Sequence, residues 1–587
     1  MRDTHKLFQL WLENAHIADI AEDLHALKIE GEQAIEDAFF DDLKFGTAGL
    51  RGVIGAGTAR MNEYTIGRAT HALACYLKKH FESPSVVICR DSRNKGETFV
   101  KHVASVLAHH GIKSIIFPRI EPTPTLSFAV RHLKASAGIN ITASHNPAKY
   151  NGYKVYGQDG CQITEQAADE ISCAMQQTNI FCDVKTMDFD EGIQQGLISW
   201  VHDDVISAYI RSVVAQVGLN NEDSLLKQKL SVLYTPLHGT GLECIKKAYK
   251  HLPYVNLEVV HTQEKPNGNF PTCPNPNPEL RGAFYEAFAQ VHAGQMSPDI
   301  IIATDPDADR VAVALSLRAE KNEFRILTGN EQGLLLMDYL AQRVRDAGDD
   351  ISEKVALTTI VSSPLADDIA QSYGFELRRV LTGFKYIGEQ MQLLEDEGRL
   401  DAFLLGYEES YGYLVGTEVR DKDAIVAAAL FAEMAYTYKQ RGLTLLQVID
   451  GLYEKYGTHL SETLSFAFDG AKGAEHMASI MNDIRSNHPA YIGNLAVHEV
   501  VDYMRPTPMP CISARGASRA TDATAPQTLP ISNVLQFNLE QQARLIIRPS
   551  GTEPKIKAYV FTRAENFMKA HGVQGELKTY LQKLFSE

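Results

Sequence analysis

The strongest constraint on this chain is a rhythm. Short β-rich runs alternate with helical segments in three separate blocks. In the first, helical spacing over 65–80 and 97–109 alternates with Val86-Val87-Ile88 and Ser114-Ile115-Ile116-Phe117. The second runs through Leu230-Ser231-Val232-Leu233-Tyr234, a helix near 241–251, Asn256 to Val260, a helix near 280–291 and Ile300-Ile301-Ile302-Ala303. The third has a helix over 331–345, Val355 to Val361, a helix over 364–373 and Phe403-Leu404-Leu405. Parallel strands can be joined only by long crossovers, so helices between such strands predict βαβ units and a mainly parallel sheet covered by helices. Three similar blocks suggest ancient repetition, although no residue-level repeat supports it.

The flanks differ in texture. Apolar positions from Leu7 to Phe39 fall at helical spacing, so helices precede the first block. After helices around 424–455 come a helix near 472–486, a strand over Val497 to Val501, a Ser/Thr/Ala/Pro-rich stretch at 505–530 that reads as a mobile loop, and the strand-like Arg544-Leu545-Ile546-Ile547-Arg548. This is a smaller α+β domain. At about 150 residues per domain, 587 residues make about four. The expected division is 1–215, 216–325, 326–456 and 457–587, three similar α/β domains with mixed, mainly parallel sheets followed by a C-terminal α+β domain.

Hydrophobic residues at 44% and charged residues at 22% can build real cores. The net charge of −16 argues against a broad electrostatic grip on nucleic acid or an anionic membrane, so an anionic ligand must meet local positive charge. The longest uncharged apolar stretch, Ala424 to Ala432, is too short to span a bilayer, and the charged start leads into no export signal. Eight scattered Cys without a C-x-x-C pair suggest neither a disulfide framework nor a cysteine zinc site, and point to a reducing cytoplasm.

Five loops could carry chemistry. Asp305-Pro306-Asp307-Ala308-Asp309-Arg310 sets three carboxylates at alternate positions directly after an apolar strand, where open α/β sheets place their ligand loops. Hard oxygen donors call for a hard cation. Arg310 stands where a calcium hand needs Gly and Ser316 where it needs Glu, so magnesium fits better. Thr142-Ala143-Ser144-His145-Asn146-Pro147, also after an apolar run, offers a hydroxyl nucleophile with His145 and Lys154 nearby, although the same residues also suit a capped turn. Arg548-Pro549-Ser550-Gly551-Thr552 turns through small residues and could cradle an anion, while no Walker loop or intact G-x-G-x-x-G occurs. Gly406-Tyr407-Glu408-Glu409-Ser410 offers paired carboxylate and hydroxyl groups for sugar hydroxyls, with Arg420-Asp421-Lys422-Asp423 close behind. Leu381-Thr382-Gly383-Phe384-Lys385 brings a lysine and an aromatic face.

In this order, and with Phe45-Gly46-Thr47-Ala48-Gly49-Leu50-Arg51-Gly52, Tyr234-Thr235-Pro236-Leu237-His238-Gly239 and Pro266-Asn267-Gly268-Asn269-Phe270-Pro271, the loops resemble those of the α-D-phosphohexomutase superfamily, the phosphoglucomutase and phosphomannomutase enzymes, and in particular its phosphoglucomutase-2-like branch. The resemblance runs from about residue 40 to the end. It implies four domains around one cleft and an intramolecular phosphotransferase that interconverts glucose 1-phosphate and glucose 6-phosphate in the cytoplasm. Ser144 would be the phosphoserine, Mg2+ would be held by Asp305, Asp307, Asp309 and the serine phosphate, and glucose 1,6-bisphosphate would be both intermediate and priming cofactor. Glu408 and Ser410 would grip the sugar, with Thr382, Gly383 and Lys385 on the substrate side. Arg548, Ser550, Gly551 and Thr552 would bind the distal phosphate, while Arg310 and Arg51 add positive charge. Lys154 and Lys422 resemble the family's acid–base candidates, their pKa values expected to be lowered by partial burial beside cations, and His145 would contact phosphate.

Partners implied are small sugar phosphates, with the chain a monomer or weak homodimer. Tyr411, where many relatives carry Gly, is similar to the branch with phosphopentomutases and glucose-1,6-bisphosphate synthases, which keeps phosphomannomutase and phosphopentomutase as alternatives. A phosphatase would need a two-metal set that the sequence lacks, and a silent sensor would have lost a nucleophile or metal ligand, none of which is missing.

Overall fold

The computed structural model describes residues 2–46, 49–218, 228–294, 296–318, 323–468, 470–504, 529–550 and 555–586. These divide into two compact units, Met1–Gln332 with Phe384–Leu443, and Gly333–Gly383 with Thr444–Glu587.

In the first unit, helices Thr4–Asn14, Ala18–Glu30 and Glu32–Phe39 bury Trp11, Leu24 and Phe39 in a small core of their own. A six-stranded sheet follows in the order Leu50–Val53, Tyr150–Gly157, Ala137–Ile141, Ser85–Arg90, Lys113–Ile116, Ile198–Trp200. Its central strands read as continuous apolar runs because helices cover both faces. Ser85–Arg90 pairs in parallel with Ala137–Ile141 and Lys113–Ile116, whereas Tyr150–Gly157 runs antiparallel to Ala137–Ile141 and to Leu50–Val53. Helix Glu63–His80 starts on an Asn62 capping box and packs Leu73 into a core with Phe99, Ile139 and Val155.

A five-stranded sheet is ordered Glu323–Ile326, Val311–Arg318, Ile300–Thr304, Leu230–Thr235, Val255–Val259. It too is mixed, since Val311–Arg318 returns antiparallel beside Ile300–Thr304 and makes a tight loop of Asp305 to Arg310. The same unit contains the hairpin Phe403–Glu408 with Gly412–Leu414, and helices Phe384–Asp396 and Ala424–Gln440. The latter buries Ala424 to Ala432 completely, which accounts for the uncharged stretch. Among the described residues no helix is long and apolar enough to cross a membrane, and all described cysteines are free.

The second unit pairs Val355–Thr359 in parallel with Glu376–Val380. Its six-stranded antiparallel sheet is ordered Thr458–Ala467, Lys555–Ala564, Arg544–Pro549, Leu535–Leu539, Leu495–Asp502, Tyr491–Ile492, and packs Phe537, Leu545, Ile547 and Val560 against Leu577 and Leu581 of helix Phe567–Ser586. Most of the expected loop at 505–530 lies outside the described residues.

The α/β blocks and the α+β end are as expected, but details shift. The helix near 280–291 is a 3₁₀ turn, Arg281–Phe284, followed by helix Tyr285–His292. The strand over Val355 to Val361 stops at Thr359, where the Ser362 amide closes a turn onto the Thr359 carbonyl at 3.1 Å. Strand Glu376–Val380 carries three charged residues and gave no apolar signal, yet its charges sit on an outer strand of its sheet.

Candidate active site

Strand Ala137–Ile141 ends in the loop that carries Ser144 before the chain returns along Tyr150–Gly157. Ser144 takes a left-handed backbone at φ +51°, a conformation that costs an L-residue about 1 kcal/mol. Its Oγ donates to Asp305 Oδ2 at 2.7 Å and lies 3.2 Å from His145 Nδ1, while its amide donates to Thr142 Oγ1 at 2.9 Å. Arg93 holds the loop from beneath. Its Nη1 donates to the carbonyls of Pro147 and Tyr150 at 3.0 and 2.9 Å, and its Nη2 donates to those of Ser144, at 2.5 Å, and Asn146. Asp91, fully buried, places Oδ2 3.3 Å from Arg93 Nε and accepts from Thr142 Oγ1 at 2.6 Å. Burial pushes the Asp91 carboxyl up to about 6, against the pull of Arg93 and Thr142.

The Asp305, Asp307 and Asp309 carboxylates face Ser144, all three buried and each offering an oxygen within 4.8 Å of the others. Asp305 Oδ1 accepts from the amides of Asp309 and Arg310 at 3.1 and 3.0 Å, which folds the loop into a cup. Asp307 Oδ2 accepts from Thr123 Oγ1 at 2.8 Å and Lys154 Nζ at 2.9 Å. Asp307 Oδ1 and Asp309 Oδ1 are buried without a hydrogen-bond partner. Buried oxygens of that kind are costly unless a cation takes them. The donor set, all hard oxygen and anionic, fits a magnesium-like ion. Burial, reinforced by the charges of Asp307 and Asp309, pushes the Asp305 carboxyl well above the usual carboxylate range.

Two lysines close the other side. Lys154 Nζ reaches Asp309 Oδ2 at 3.4 Å as well as Asp307, and Lys422 Nζ lies 3.4 Å from Asp309 Oδ2 and 3.2 Å from Asp421 Oδ1. Asp421 Oδ2 is held by Tyr156 Oη at 2.8 Å and Gln162 Nε2 at 3.0 Å. The expected lowering of the lysine pKa values is not found. Burial does work against both charges, but Asp307 and Asp309 outweigh it at Lys154, and Asp309, Asp421 and Glu408 outweigh it at Lys422, so both are raised. Asp309 is lowered in turn: burial opposes its charge, but Lys422 and Lys154 prevail. Burial, with Arg310 and Arg51 adding to it, drives the His145 imidazole well below its ordinary value.

The structure thus gathers Ser144, His145, Lys154, Asp305, Asp307, Asp309 and Lys422 into one connected cluster. Arg310 borders it, with Nη1 2.5 Å from Glu279 Oε1 and Nε 3.9 Å from Asp309 Oδ1. Glu408 is buried at the end of its strand and acts electrostatically on both Arg310 and Lys422, with Ser410 half-buried in the turn that follows. Arg51 is exposed and donates from Nη1 to Asn146 Oδ1 at 3.2 Å. Lys385 pairs with Glu165 Oε1 at 2.9 Å, an oxygen that Tyr386 Oη also reaches at 3.1 Å. Thr382, Gly383, Arg548 and Ser550 belong to the second unit. There Arg548 Nε donates to Tyr559 Oη at 3.3 Å and the Ser550 amide donates to the Lys555 carbonyl at 2.8 Å. Gly551 and Thr552 lie outside the described residues.

Sequence reasoning missed Asp91, Arg93, Thr123, Tyr156 and Glu279. Asp91 directly follows the apolar strand Ser85–Arg90, so the strand-end rule that singled out Asp305 also applies to it.

The chain matches the phosphoglucomutase/phosphomannomutase alpha/beta/alpha family models for domain I over residues 42–179, domain II over 207–317 and domain III over 328–456. A phosphoglucomutase of Staphylococcus saprophyticus is 37% identical over 559 residues, 95% of this chain and 96% of the relative. One from Staphylococcus aureus is 34% identical over 562 residues, again 95% and 96%. The crystal structure of parafusin, an exocytosis-sensitive phosphoprotein and phosphoglucomutase from Paramecium, has the same fold, with a TM-score of 0.69 at 17% identity over 93% of this chain and 97% of that one.

Proposed function

Because this chain belongs to the phosphoglucomutase/phosphomannomutase family, we propose that it is a phosphohexomutase interconverting glucose 1-phosphate and glucose 6-phosphate. The observation that carries the chemistry is the 2.7 Å contact of Ser144 Oγ with Asp305 Oδ2, at the edge of a buried carboxylate cluster with two unpartnered oxygens. The choice of glucose is supported by the relatives named phosphoglucomutase at 37% and 34% identity.

In this reading Ser144 carries a phosphoryl group and gives it to a hexose 1-phosphate. The resulting 1,6-bisphosphate reorients and returns the phosphoryl group from its other oxygen, so that glucose 1,6-bisphosphate also primes the enzyme. Asp305, Asp307 and Asp309 with Ser144 would hold Mg2+, which supplies neutralisation of phosphoryl charge. Lys154, Lys422, Arg310 and Arg51 place positive charge around the same oxygens, and preorganised charge needs no rearrangement as the transfer proceeds. Lys154 and Lys422 are the acid–base candidates, and His145 is a phosphate contact. Glu408 and Ser410 would take sugar hydroxyls, with Thr382, Gly383 and Lys385 on the substrate side and Arg548, Ser550, Gly551 and Thr552 on the distal phosphate. The segments 1–215, 216–325, 326–456 and 457–587 would be the four domains.

The test is a panel of initial rates on glucose 1-phosphate, mannose 1-phosphate and ribose 1-phosphate with Mg2+ and trace glucose 1,6-bisphosphate. A dominant glucose rate supports the proposal. A dominant mannose or ribose rate would keep the chemistry and replace the sugar, the outcome that Tyr411 keeps open, since its ring is buried beside the Glu408–Ser410 turn at φ +67°. Full turnover by Ser144→Ala would overturn the phosphoserine route.

A further inference from the structure

Two sequence motifs, Tyr234 to Gly239 and Pro266 to Pro271, contribute no atom to the cluster around Ser144, yet both bear on it. Phe270 is fully buried, and its ring lies under the Arg93 guanidinium at 5.1 Å from the ring centroid. Arg93 is the group on which the carbonyls of Ser144, Asn146, Pro147 and Tyr150 converge. An aromatic face against a desolvated guanidinium attracts it and fixes the plane of the fork, which decides which carbonyls it can reach.

The Phe270 loop is itself pinned. Asn94 Nδ2 donates to Asn269 Oδ1 at 2.7 Å, and a Cβ on Gly268 would stand 2.5 Å from the Asn94 amide nitrogen and 2.8 Å from the Ser92 carbonyl. Only glycine lets the loop lie this close to the residues flanking Arg93. Phe270 holds a left-handed φ of +45°, closed by its amide onto the Asn267 carbonyl at 3.1 Å. Both ring nitrogens of His238 are spent on the same segment, Nδ1 at 3.0 Å from the Lys265 carbonyl and Nε2 at 2.9 Å from Thr272 Oγ1. One residue on, Gly239 packs against the metal-loop candidate so tightly that a Cβ would stand 2.4 Å from Pro306 Cα, and the Thr240 amide donates to the Pro306 carbonyl at 2.9 Å. One continuous set of contacts therefore runs from Pro306 through Gly239, His238 and the segment Lys265 to Thr272 that carries Phe270, to Arg93 and the Ser144 carbonyl.

We propose that Phe270 and His238 are positioning residues: the strut they form orients Arg93, and through it sets where Ser144 Oγ stands relative to the Asp305 loop. The proposal rests on Ser144 being the phosphoryl acceptor and donor. Both residues are buried and neither contributes an atom to the cluster around Ser144, so the strut governs the transfer step rather than binding. A displacement of the order of 1 Å at a reacting atom costs as much as about a hundredfold in rate.

The experiment measures transfer of phosphate from glucose 1,6-bisphosphate to the full-length enzyme by intact mass, together with steady-state kcat and KM, in wild type, Phe270→Leu and Asn269→Ala. Leucine keeps an apolar filler but loses the aromatic face, and Asn269 is exposed, so its alanine variant tests the strut without disturbing the core. Expected are phosphorylation and kcat lowered about tenfold in Phe270→Leu and about twofold in Asn269→Ala, KM within about twofold, and faster amide exchange over 142–147. A folded Phe270→Leu protein with wild-type kcat and phosphorylation rate overturns the strut, as does a loss that appears only in KM. Failure of the wild-type enzyme to take phosphate at all overturns the phosphoserine reading instead, which the variants leave untouched.

Discussion

Ser144 Oγ and Asp305 Oδ2 lie 2.7 Å apart although 161 residues separate them in the chain. Each stands in the turn that follows a central strand of its own sheet, Ala137–Ile141 for one and Ile300–Thr304 for the other. The contact joins a hydroxyl that carries no charge to a carboxylate crowded by two others. That combination suits a site in which a phosphoryl group and a divalent ion meet.

Asp307 is the most direct probe of the ion. Its Oδ1 has no hydrogen-bond partner, so Asp307→Asn keeps the shape and removes an anionic ligand. Calorimetric titration with MgCl2 is expected to show affinity lowered by tenfold or more, about 1.4 kcal/mol, with mutase activity falling in step and chelator abolishing it in the wild type. Unchanged Mg2+ affinity would remove Asp307 from the ligand set.

Gly412 bears on Lys422. A Cβ there would stand 2.1 Å from Lys422 Cδ and 2.7 Å from its Cγ, so Gly412→Ala must push the lysine off Asp309 and Asp421. Expected are a stability loss of about 1–3 kcal/mol and a drop in kcat of about tenfold or more, read from urea unfolding and steady-state rates. Retention of wild-type kcat would place Lys422 outside the chemistry.

Glu395 neutralises a buried cation. Arg420, 1% exposed, donates from Nη2 to Glu395 Oε2 at 2.6 Å, while its Nε and Nη1 have no hydrogen-bond partner, and Arg131 Nη2 reaches Glu395 Oε1 at 3.3 Å. Glu395→Ala leaves that guanidinium uncompensated. Because Glu395 is itself partly exposed, the expected cost is about 1–3 kcal/mol, below the full penalty of a buried pair, and is measured as a fall in Tm.

His102 makes the fold sensitive to acid. Burial lowers its pKa to about 4, with only the Glu63 carbonyl opposing. The folded protein therefore keeps this imidazole neutral where the unfolded chain, at about 6.5, already binds a proton, so stability falls as pH drops from 6.5 toward 4. His102 alone accounts for about 3 kcal/mol of that loss. Urea midpoints across this range should decline less steeply in His102→Gln, and an unchanged slope would remove His102 as a source. His110 and His459, both also lowered to about 4 with burial as the first cause, keep part of the slope in the variant.

Much of the candidate site was legible because its residues are of unusual type at the ends of apolar runs. Asp305 to Asp309 and Ser144 follow fully buried strands rich in Ile and Ala. Arg93 was not legible, since a charged residue three positions after a strand reads as solvated until the loop that buries it is seen. The pairing of Lys385 with Glu165 was equally hidden, the partners being 220 residues apart. The lysine pKa values had the wrong expected direction for the same reason. The resemblance set Lys154 and Lys422 as partly buried groups beside cations, whereas the fold puts carboxylates of Asp307, Asp309 and Asp421 against them.

The alternation of strands and helices, the α/β class and the loops that hold chemical groups are written in the amino-acid order, because periodicity and strand burial are properties of neighbours along the chain. Which charges meet follows from the folding of distant segments onto one another. Electrostatic balance depends on distances of 2.5 to 4 Å between residues brought together by packing, and it sets whether a buried Asp is raised or lowered and whether a lysine stays charged. Asp305 and Asp309 differ in this way within one loop. Burial and its fellow carboxylates raise the first, while at the second two lysines prevail over burial and lower it.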